Sequence, residues 1–498
     1  MNNIYKQGLN RKQQMFFPSS IDEYVSEDNI VRAIEEYIES LNISKLGFTN
    51  TKSKNLDGQP PYDPKLLLKI YIYGYLNRIR SSRKLETESK RNIELMWLCA
   101  GLTPSYKTIA NFRKDNPKAL KRVFKEFVLL LKELNLISGE LIAIDGAFFR
   151  ANASKNTLIM KKTPQKDLKS LDEKIENYLK ELEFQDKQSI KDFTIKPIKK
   201  DTLSKIVSTK KSIEEKLEFL RENNLTQYNR TDPDAKLMKK PAHNLMAYNV
   251  QIAVDNKYKF IVTTDTTSCP NDSNQLLSMA NKTKEILDNK DLTLTADKGY
   301  YNLDEIKKCL DSNIDIVLPI SKTGQVQGSK GKFKREDFIY NRDKDCYICP
   351  NKKILTKREN SYRVKSNKIY YQYSLSSTIC KSCSLKERCL AKSRTRTIIR
   401  WEHSNIIDDF IKDMQTPKAK EIIKKRGSIV EHPFGTIKQN LGWTHFLVRG
   451  KEKVSGENAL IMFVYNFKRL INLIGINMFK QLIQAIKIGN LEPIKAQI

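Results

Sequence analysis

No uninterrupted apolar run in this chain approaches the ~20 residues that a membrane-spanning helix requires. The most apolar segment, Leu460–Ile476, is broken by Asn466, Lys468 and Arg469. The first twenty residues lack the apolar centre of a secretory signal, and no internal repeat of solenoid length is visible. These absences set an expectation of a soluble protein of the cytoplasm that makes no use of a membrane. Carboxylates are also scarce relative to cations: 58 Asp and Glu stand against 89 Lys and Arg, a net charge of +31. What remains is ordinary globular material. Apolar residues make up 39% and charged residues 30% of the 498 positions, which excludes wholesale disorder. At ~150 residues per domain the length suggests about three units.

A charge surplus of this size speaks to partners rather than to fold. A polyanion is the natural one, because each neutralised phosphate releases counterions and adds sequence-independent affinity. A Lys-, Asn- and Ile-rich chain could instead reflect codon bias, but such a bias would spread evenly. Between Ser321 and Arg400, 21 basic residues face six acidic ones, half the surplus in 80 residues. A nucleic-acid partner is therefore expected.

Up to about residue 136 the chain reads as helices joined by short turns. Ile30, Val31, Ile34, Tyr37 and Ile38 give helical spacing across Asp22–Leu41. Asp63-Pro64 is a helix start, an N-cap followed by proline at the first helical position. Ser105 can cap a helix that carries Thr108, Asn111 and Arg113, and a turn precedes it. Helix, turn and a helix rich in hydrogen-bonding side chains suggest a helix-turn-helix-like reader of DNA. Any small helical domain also has polar faces.

From Leu141 the period changes to that of strands. The candidates are Leu141–Gly146, Tyr248–Val254, Phe260–Thr266, Leu292–Ala296 and Ile314–Pro319, with a helix over Asn274–Leu287. This pattern predicts a mixed α/β sheet. Two amphipathic helices, broken near Pro197, form an expected hairpin insert over 155–240. Helices resume from Ile406 to about Ile488. The expected domains are a helical DNA-binding domain at 1–136, a catalytic domain from 137–154, 241–320 and 401–490, the helical insert, and a basic Cys-rich insert at 321–400.

Two carboxylates end strands, Asp145 and Asp297, and Glu431 is expected at the start of a helix that, because of Pro433, must either begin near Glu431 or kink there. Each Asp alone could be a turn residue. Three acids meeting in one site repel unless they share a cation. Oxygen-only donors suit Mg²⁺ or Mn²⁺, and two such ions can assist phosphodiester displacement. Gly146 and Gly299 would let the backbone approach a phosphate. Lys438 lies seven residues past Glu431, two turns on along one face, where it could meet a strand phosphate or simply be solvated. His432, alone beside a proline, reads as structural.

Five of the eight cysteines lie between Cys346 and Cys389. In a reducing compartment, Cys346-x-x-Cys349 and Cys380-x-x-Cys383 fit a four-cysteine zinc site. An iron–sulfur cluster using Cys389, or thiols that hold nothing, are the alternatives. Arg363, Lys365, Arg394 and Arg396, interleaved with tyrosines, could track a DNA backbone. Cys99, Cys269 and Cys309 read as ordinary thiols.

The blocks Ala143-Ile-Asp-Gly146, Thr231-Asp-Pro-Asp-Ala235, Ala296-Asp-Lys-Gly-Tyr300, Val430-Glu-His-Pro-Phe-Gly-Thr-Ile-Lys438 and Phe446-Leu-Val-Arg-Gly-Lys-Glu-Lys-Val454, with Tyr465-Asn-Phe-Lys-Arg-Leu470, resemble those of DDE transposases of bacterial insertion sequences. In this order they run from about Phe16 to Leu473. The resemblance implies a ribonuclease H-like core with Asp145, Asp297 and Glu431 as a triad for two Mg²⁺ (or Mn²⁺) ions. It also implies an N-terminal helical domain that binds terminal inverted repeats, and makes a ribbon-like insert before the Glu-bearing helix plausible. Arg426 stands one residue farther from Glu431 than the family pattern, and Ile423 stands where the family has Tyr. DNA contacts are expected from Lys298, Arg426, Lys438, Thr108, Asn111 and Arg113. The activity implied is metal-dependent cleavage at transposon ends followed by strand transfer to target DNA, within a synaptic homodimer. A structure-specific nuclease and a non-catalytic DNA-binding regulator are the rival readings.

Overall fold

A computed structural model describes residues 20–48, 61–160, 168–173, 175–177, 180, 200–239, 244–289, 292–320, 332–365, 368–390 and 393–497. The chain divides into two compact units. The first comprises Met1–Ser138, Asp145–Asn271 and Val430–Ile498; the second comprises Gly139–Ile144 and Asp272–Ile429.

In the first unit the N-terminal region is helical, as the spacing predicts. The first helix is shorter than expected: a 3₁₀ turn at Ile21–Tyr24 precedes Ile30–Ser40, and Asn29 starts the helix by accepting from the Val31 N–H. Asp63 caps Pro64–Leu76 through the Lys65 N–H at 2.7 Å, and Ser105 caps Tyr106–Asp115 through the Thr108 N–H at 3.3 Å. Each cap satisfies a donor that the first helical turn leaves without a partner.

These helices gather around Lys451–Ile488, 38 residues long, which packs against Pro117–Glu133, Ile30–Ser40 and Pro64–Leu76. Tyr37, Phe127, Phe463, Phe467 and Phe479 form one aromatic cluster with ring centroids 5.0–6.4 Å apart. Gly456 allows the close crossing, since a Cβ there would lie 2.5 Å from Pro117 Cα. Gly475 bends the helix at φ 77°, a conformation open to glycine. By length and composition this helix could cross a membrane, but most of its apolar stretch is buried within the unit. The Asn466 that interrupts the apolar run holds both backbone groups of Ile261, at 2.9 and 2.8 Å.

Strand β1 (Leu141–Arg150) runs longer than the sequence pattern suggests. Its residues from Asp145 onward belong to the first unit, with β2 (Leu158–Met160), β3 (Gln227–Asn229), β4 (Lys236–Lys239), β5 (Asn244–Asp255) and β6 (Ile261–Thr267). β5 neighbours β1 and pairs antiparallel with both β4 and β6; β2 and β3 form a separate antiparallel pair. β5 is buried at almost every position, the signature of a strand covered on both faces. In the helical insert, Lys200–Glu222 is helical. The break expected near Pro197 lies outside the described residues.

The second unit begins with Leu141–Ile144 of β1, paired in parallel with β7 (Thr293–Ala296), which pairs in parallel with β8 (Asp315–Val317). The helices Leu276–Leu287 and Leu303–Asp311 connect these strands and pack together. Parallel strands need such crossovers. The Cys-rich segment is a five-stranded antiparallel sheet: β9 (Ile339–Asn341), β10 (Cys346–Ile348), β11 (Ile354–Lys365), β12 (Lys368–Ser374) and β13 (Thr397–Trp401), in that spatial order. Its small core comprises Phe338, Tyr347, Leu355, Tyr373 and Ile398.

Candidate active site

Parallel pairing of β1 with β7 fixes a register in which Ile144 faces Ala296. The next residue along each strand is a carboxylate, Asp145 on one and Asp297 on the other. Each is tied to a nearby glycine: Asp145 Oδ1 accepts the Gly146 N–H at 2.8 Å, and Asp297 Oδ1 accepts the Gly299 N–H at 2.8 Å. Asp297 thereby caps the 3₁₀ turn Lys298–Tyr300. A Cβ at Gly299 would stand 3.0 Å from Asp297 Oδ1, so the missing side chain makes room for the carboxylate itself. Lys298 beside it is exposed.

Glu431 is exposed, and its position corrects the sequence expectation. It lies near the end, not the start, of the helix Pro417–Gly435, with Pro433 inside that helix. The two-turn alignment of Glu431 with Lys438 is also corrected. The α-helix ends at Gly435, and a π-helical turn over Thr436–Asn440 carries Lys438, so spacing of 3.6 residues no longer relates the two. Within the first unit this stretch packs on β1. Phe434 and Phe446 lie 6.4 and 5.7 Å from the ring of Phe149, and Lys438 Nζ sits 5.0 Å over Phe149. Phe149 is four residues past Asp145, and Phe434 three past Glu431. Arg426 lies on the same helix as Glu431. His432 is structural, as its sequence context suggested: Nδ1 is 3.0 Å from the Tyr465 hydroxyl. Burial pushes its pKa down, and the charges of Arg469 and Lys259 add to that.

Three further sequence expectations meet the structure in the helical region. Asn111 is exposed and Thr108 partly so, on the capped helix. Arg113 does not face solvent, which corrects its assignment as a DNA contact. Its guanidinium is buried, 3.0 Å from Glu457 Oε1, and donates to the Tyr75 hydroxyl at 2.9 Å. Burial works against its charge, but Glu457, Tyr75 and Tyr71 outweigh burial and raise its pKa.

Two other features carried no recognisable sequence signal. The Thr231–Ala235 block caps the long C-terminal helix: Asp232 accepts from the Gly450 N–H at 3.1 Å, and Asp234 from the Lys451 N–H at 2.7 Å. A cavity of about 630 Å³ in the first unit is lined by Arg150, Lys155, Asn156, Asn244, Thr444 and His445 among others, with no acidic residue among the described residues that line it. Its lining residues come from segments as far apart in sequence as Arg150 and His445, so no single motif could signal it.

In the Cys-rich sheet, Cys349, Cys380, Cys383 and Cys389 line one cavity of about 260 Å³; Cys346 does not line it. Arg394 is exposed, while Arg396 is partly buried beside that cavity with its guanidinium 5.3 Å from the Phe338 ring. The side chains of Arg363 and Lys365 lie outside the described residues. Burial pushes the Cys99 and Cys309 thiols up to about 12, as expected of inert interior cysteines; Cys269 is exposed. Among the described residues, no three His, Cys, Asp or Glu side chains stand close enough to hold a metal ion.

Residues 19–115 match a family described as Transposase domain (DUF772), and residues 348–471 match one described as Transposase DDE domain. The chain carries two transposase domains and acts as a transposase. The second match contains Glu431, Lys438 and the four cavity cysteines, whereas Asp145 and Asp297 lie outside both. No curated protein matches the sequence. Among solved structures, the transposase is similar to a piggyBac transposase synaptic complex with hairpin DNA, at 8% identity and a TM-score of 0.32 over 96% of this chain and 80% of that one. DNA is the transposase's partner, and use of a divalent metal accompanies the family.

Proposed function

We propose that the transposase binds the terminal inverted repeats of its own element, cuts the DNA there and joins the freed ends to a target, with Asp145, Asp297 and Glu431 as the catalytic carboxylates. The observation that carries this reading is the β1–β7 register, with an aspartate following each of two paired residues. The packing of the Glu431 helix on β1 through Phe434 and Phe149 supports the third member. We take the sheet that β1 belongs to as the ribonuclease H-like core. The helical region and the two inserts around it would engage DNA, and two copies would act together, one at each end of the element.

The donor chemistry fits a hard divalent cation: Asp145 and Asp297 are carboxylates one step past the same rung of a parallel ladder, each steadied through one oxygen by a glycine N–H. Two bound Mg²⁺ (or Mn²⁺) ions would polarise the scissile phosphate and lower the pKa of the attacking hydroxyl or water. The protein's own task is positioning. Asp145, Asp297 and Glu431 would hold the ions, and Lys298, Arg426 and Lys438 would supply positive charge for the phosphodiester backbone. Arg150 and Lys155, which line one cavity, offer a further place for a DNA strand. The setting would be the cytoplasm, at the nucleoid.

Incubating the protein with Mg²⁺ and linear DNA that carries the flanks of its own gene tests the reading. Cleavage at those flanks, followed by joining of 3′ ends to a target plasmid, is expected. Both should vanish in Asp297→Asn with DNA affinity retained. Cleavage that persists undiminished in Asp297→Asn removes the assigned triad. Cutting without any end joining favours a nuclease.

A further inference from the structure

We propose that the Cys-rich sheet holds one zinc ion on Cys349, Cys380, Cys383 and Cys389, and that Cys346, although half of a Cys-x-x-Cys pair, is not a ligand. The inference concerns a structural site apart from the catalytic carboxylates and stands whether or not the transposase reading of those carboxylates does.

Strand geometry separates the two cysteines of the first pair. On β10, Tyr347 faces the small core and lies opposite Leu355, whereas Cys346 lies opposite Thr356. Successive strand residues point to opposite faces, so Cys346 turns away from the side that Tyr347 and Leu355 share. The cavity lies on the shared side, because Leu355 and Phe338 of that core line it. Cys349, past the end of the strand, packs against the same core, and so does Cys389. Cys380 and Cys383 come from the helix Ser377–Lys381 and the turn after it, and Cys389 ends the short helix Lys386–Cys389.

Hydrogen-bond donors already reach two of these sulfurs. Cys349 Sγ accepts the Lys353 N–H at 3.4 Å, and Cys383 Sγ accepts from Asn351 Nδ2 at 3.3 Å. Such donors steady sulfur that carries negative charge. Lys353, Lys386 and Arg396 also line the cavity, with no carboxylate or histidine among its described lining residues. An all-sulfur donor set of four selects zinc over the hard divalent cations. The sulfurs surround the cavity without standing at ligand spacing, so binding would draw them inward, and folding free energy would come with the ion. A core of five buried residues gives such an ion a structural role.

Metal analysis of the full chain, purified with zinc present, tests the assignment through Cys346→Ser and Cys389→Ser. We expect about one zinc per chain in the parent protein and in Cys346→Ser, and less than about half of that in Cys389→Ser. Cobalt substitution provides a second measurement that reports ligands directly. The sulfur-to-cobalt absorption should be unchanged in Cys346→Ser and weakened in Cys389→Ser. Retention of zinc by Cys389→Ser with its loss from Cys346→Ser would overturn the ligand set. Iron in place of zinc, or no metal and no cobalt spectrum in the parent protein, would overturn the site.

Discussion

Removing the Glu457 carboxylate strands the most deeply buried cation of the helical region. Arg113 and Glu457 side chains are 6% and 0% exposed. Glu457 Oε1 accepts from Arg113, while Oε2 accepts the N–H groups of Leu447 and Val448 at 2.9 and 3.2 Å. Glu457→Ala therefore leaves one buried guanidinium without its carboxylate, beside the Tyr75 hydroxyl and the Tyr71 ring, and two backbone donors without that acceptor. Breaking a buried pair from one side costs ~3–5 kcal/mol, and a buried unsatisfied donor ~1–3 kcal/mol. These losses overlap rather than add, so ~3–5 kcal/mol is expected, a large part of the ~5–15 kcal/mol that holds a domain together. Replacing both partners by Arg113→Met with Glu457→Leu should cost less, because no charge is left behind. The assay is urea unfolding followed by tryptophan fluorescence in a Trp401→Phe background. Trp443, 4.2 Å from the Tyr75 ring, and Trp97 then report on the first unit alone. A loss below ~1 kcal/mol in Glu457→Ala, or an Arg113→Lys variant that loses DNA affinity at unchanged stability, would refute the structural role given to this pair.

Gly456→Ala would set a Cβ 2.5 Å from the Pro117 backbone; a destabilisation of ~1–3 kcal/mol is expected, measured in the same fluorescence assay. His432 and His445 both titrate below the usual 6.5, chiefly through burial, helped by Arg469 and Lys259 in one case and by Arg80 and Arg150 in the other. The unfolded chain thus binds more protons as pH falls below about 6.5, so their contribution is intact above that pH and declines on acidification. The urea midpoint should drop between about pH 7.5 and about pH 5.5, less steeply in the double variant His432→Gln, His445→Gln. Asp145→Asn and Glu431→Gln should each lower DNA cleavage by at least ~100-fold, of the order seen when a transition-state electrostatic partner is lost, while gel-shift affinity for the element's ends stays within a few-fold.

Local chemistry was legible in the amino-acid order wherever it is settled within a few residues. Asp63-Pro64 and Ser105 start helices because a cap needs only its own first turn. The runs Leu141–Ile144 and Leu292–Ala296 were visible because short apolar runs of this kind mark buried strands, although β1 continues past Asp145 to Arg150. The 231–235 block and the start of the last helix resembled a known family, yet nothing in either showed that Asp232 and Asp234 cap that helix.

The rest required the folded chain. Arg113, polar and on a capped helix beside Asn111, had the profile of a DNA contact; only a glutamate 344 residues later makes it an interior ion pair. The pair Cys346 and Cys349 has metal-ligand spacing, but which cysteine meets the others depends on which face of β10 looks toward the core. Glu431 and Lys438 seemed aligned only under uniform α-helical spacing, which the turn at Thr436–Asn440 interrupts. Sequence alone determined the charge and most of the elements. Tertiary structure decided which side chains face inward and what they meet, because burial and pairing depend on residues hundreds of positions away.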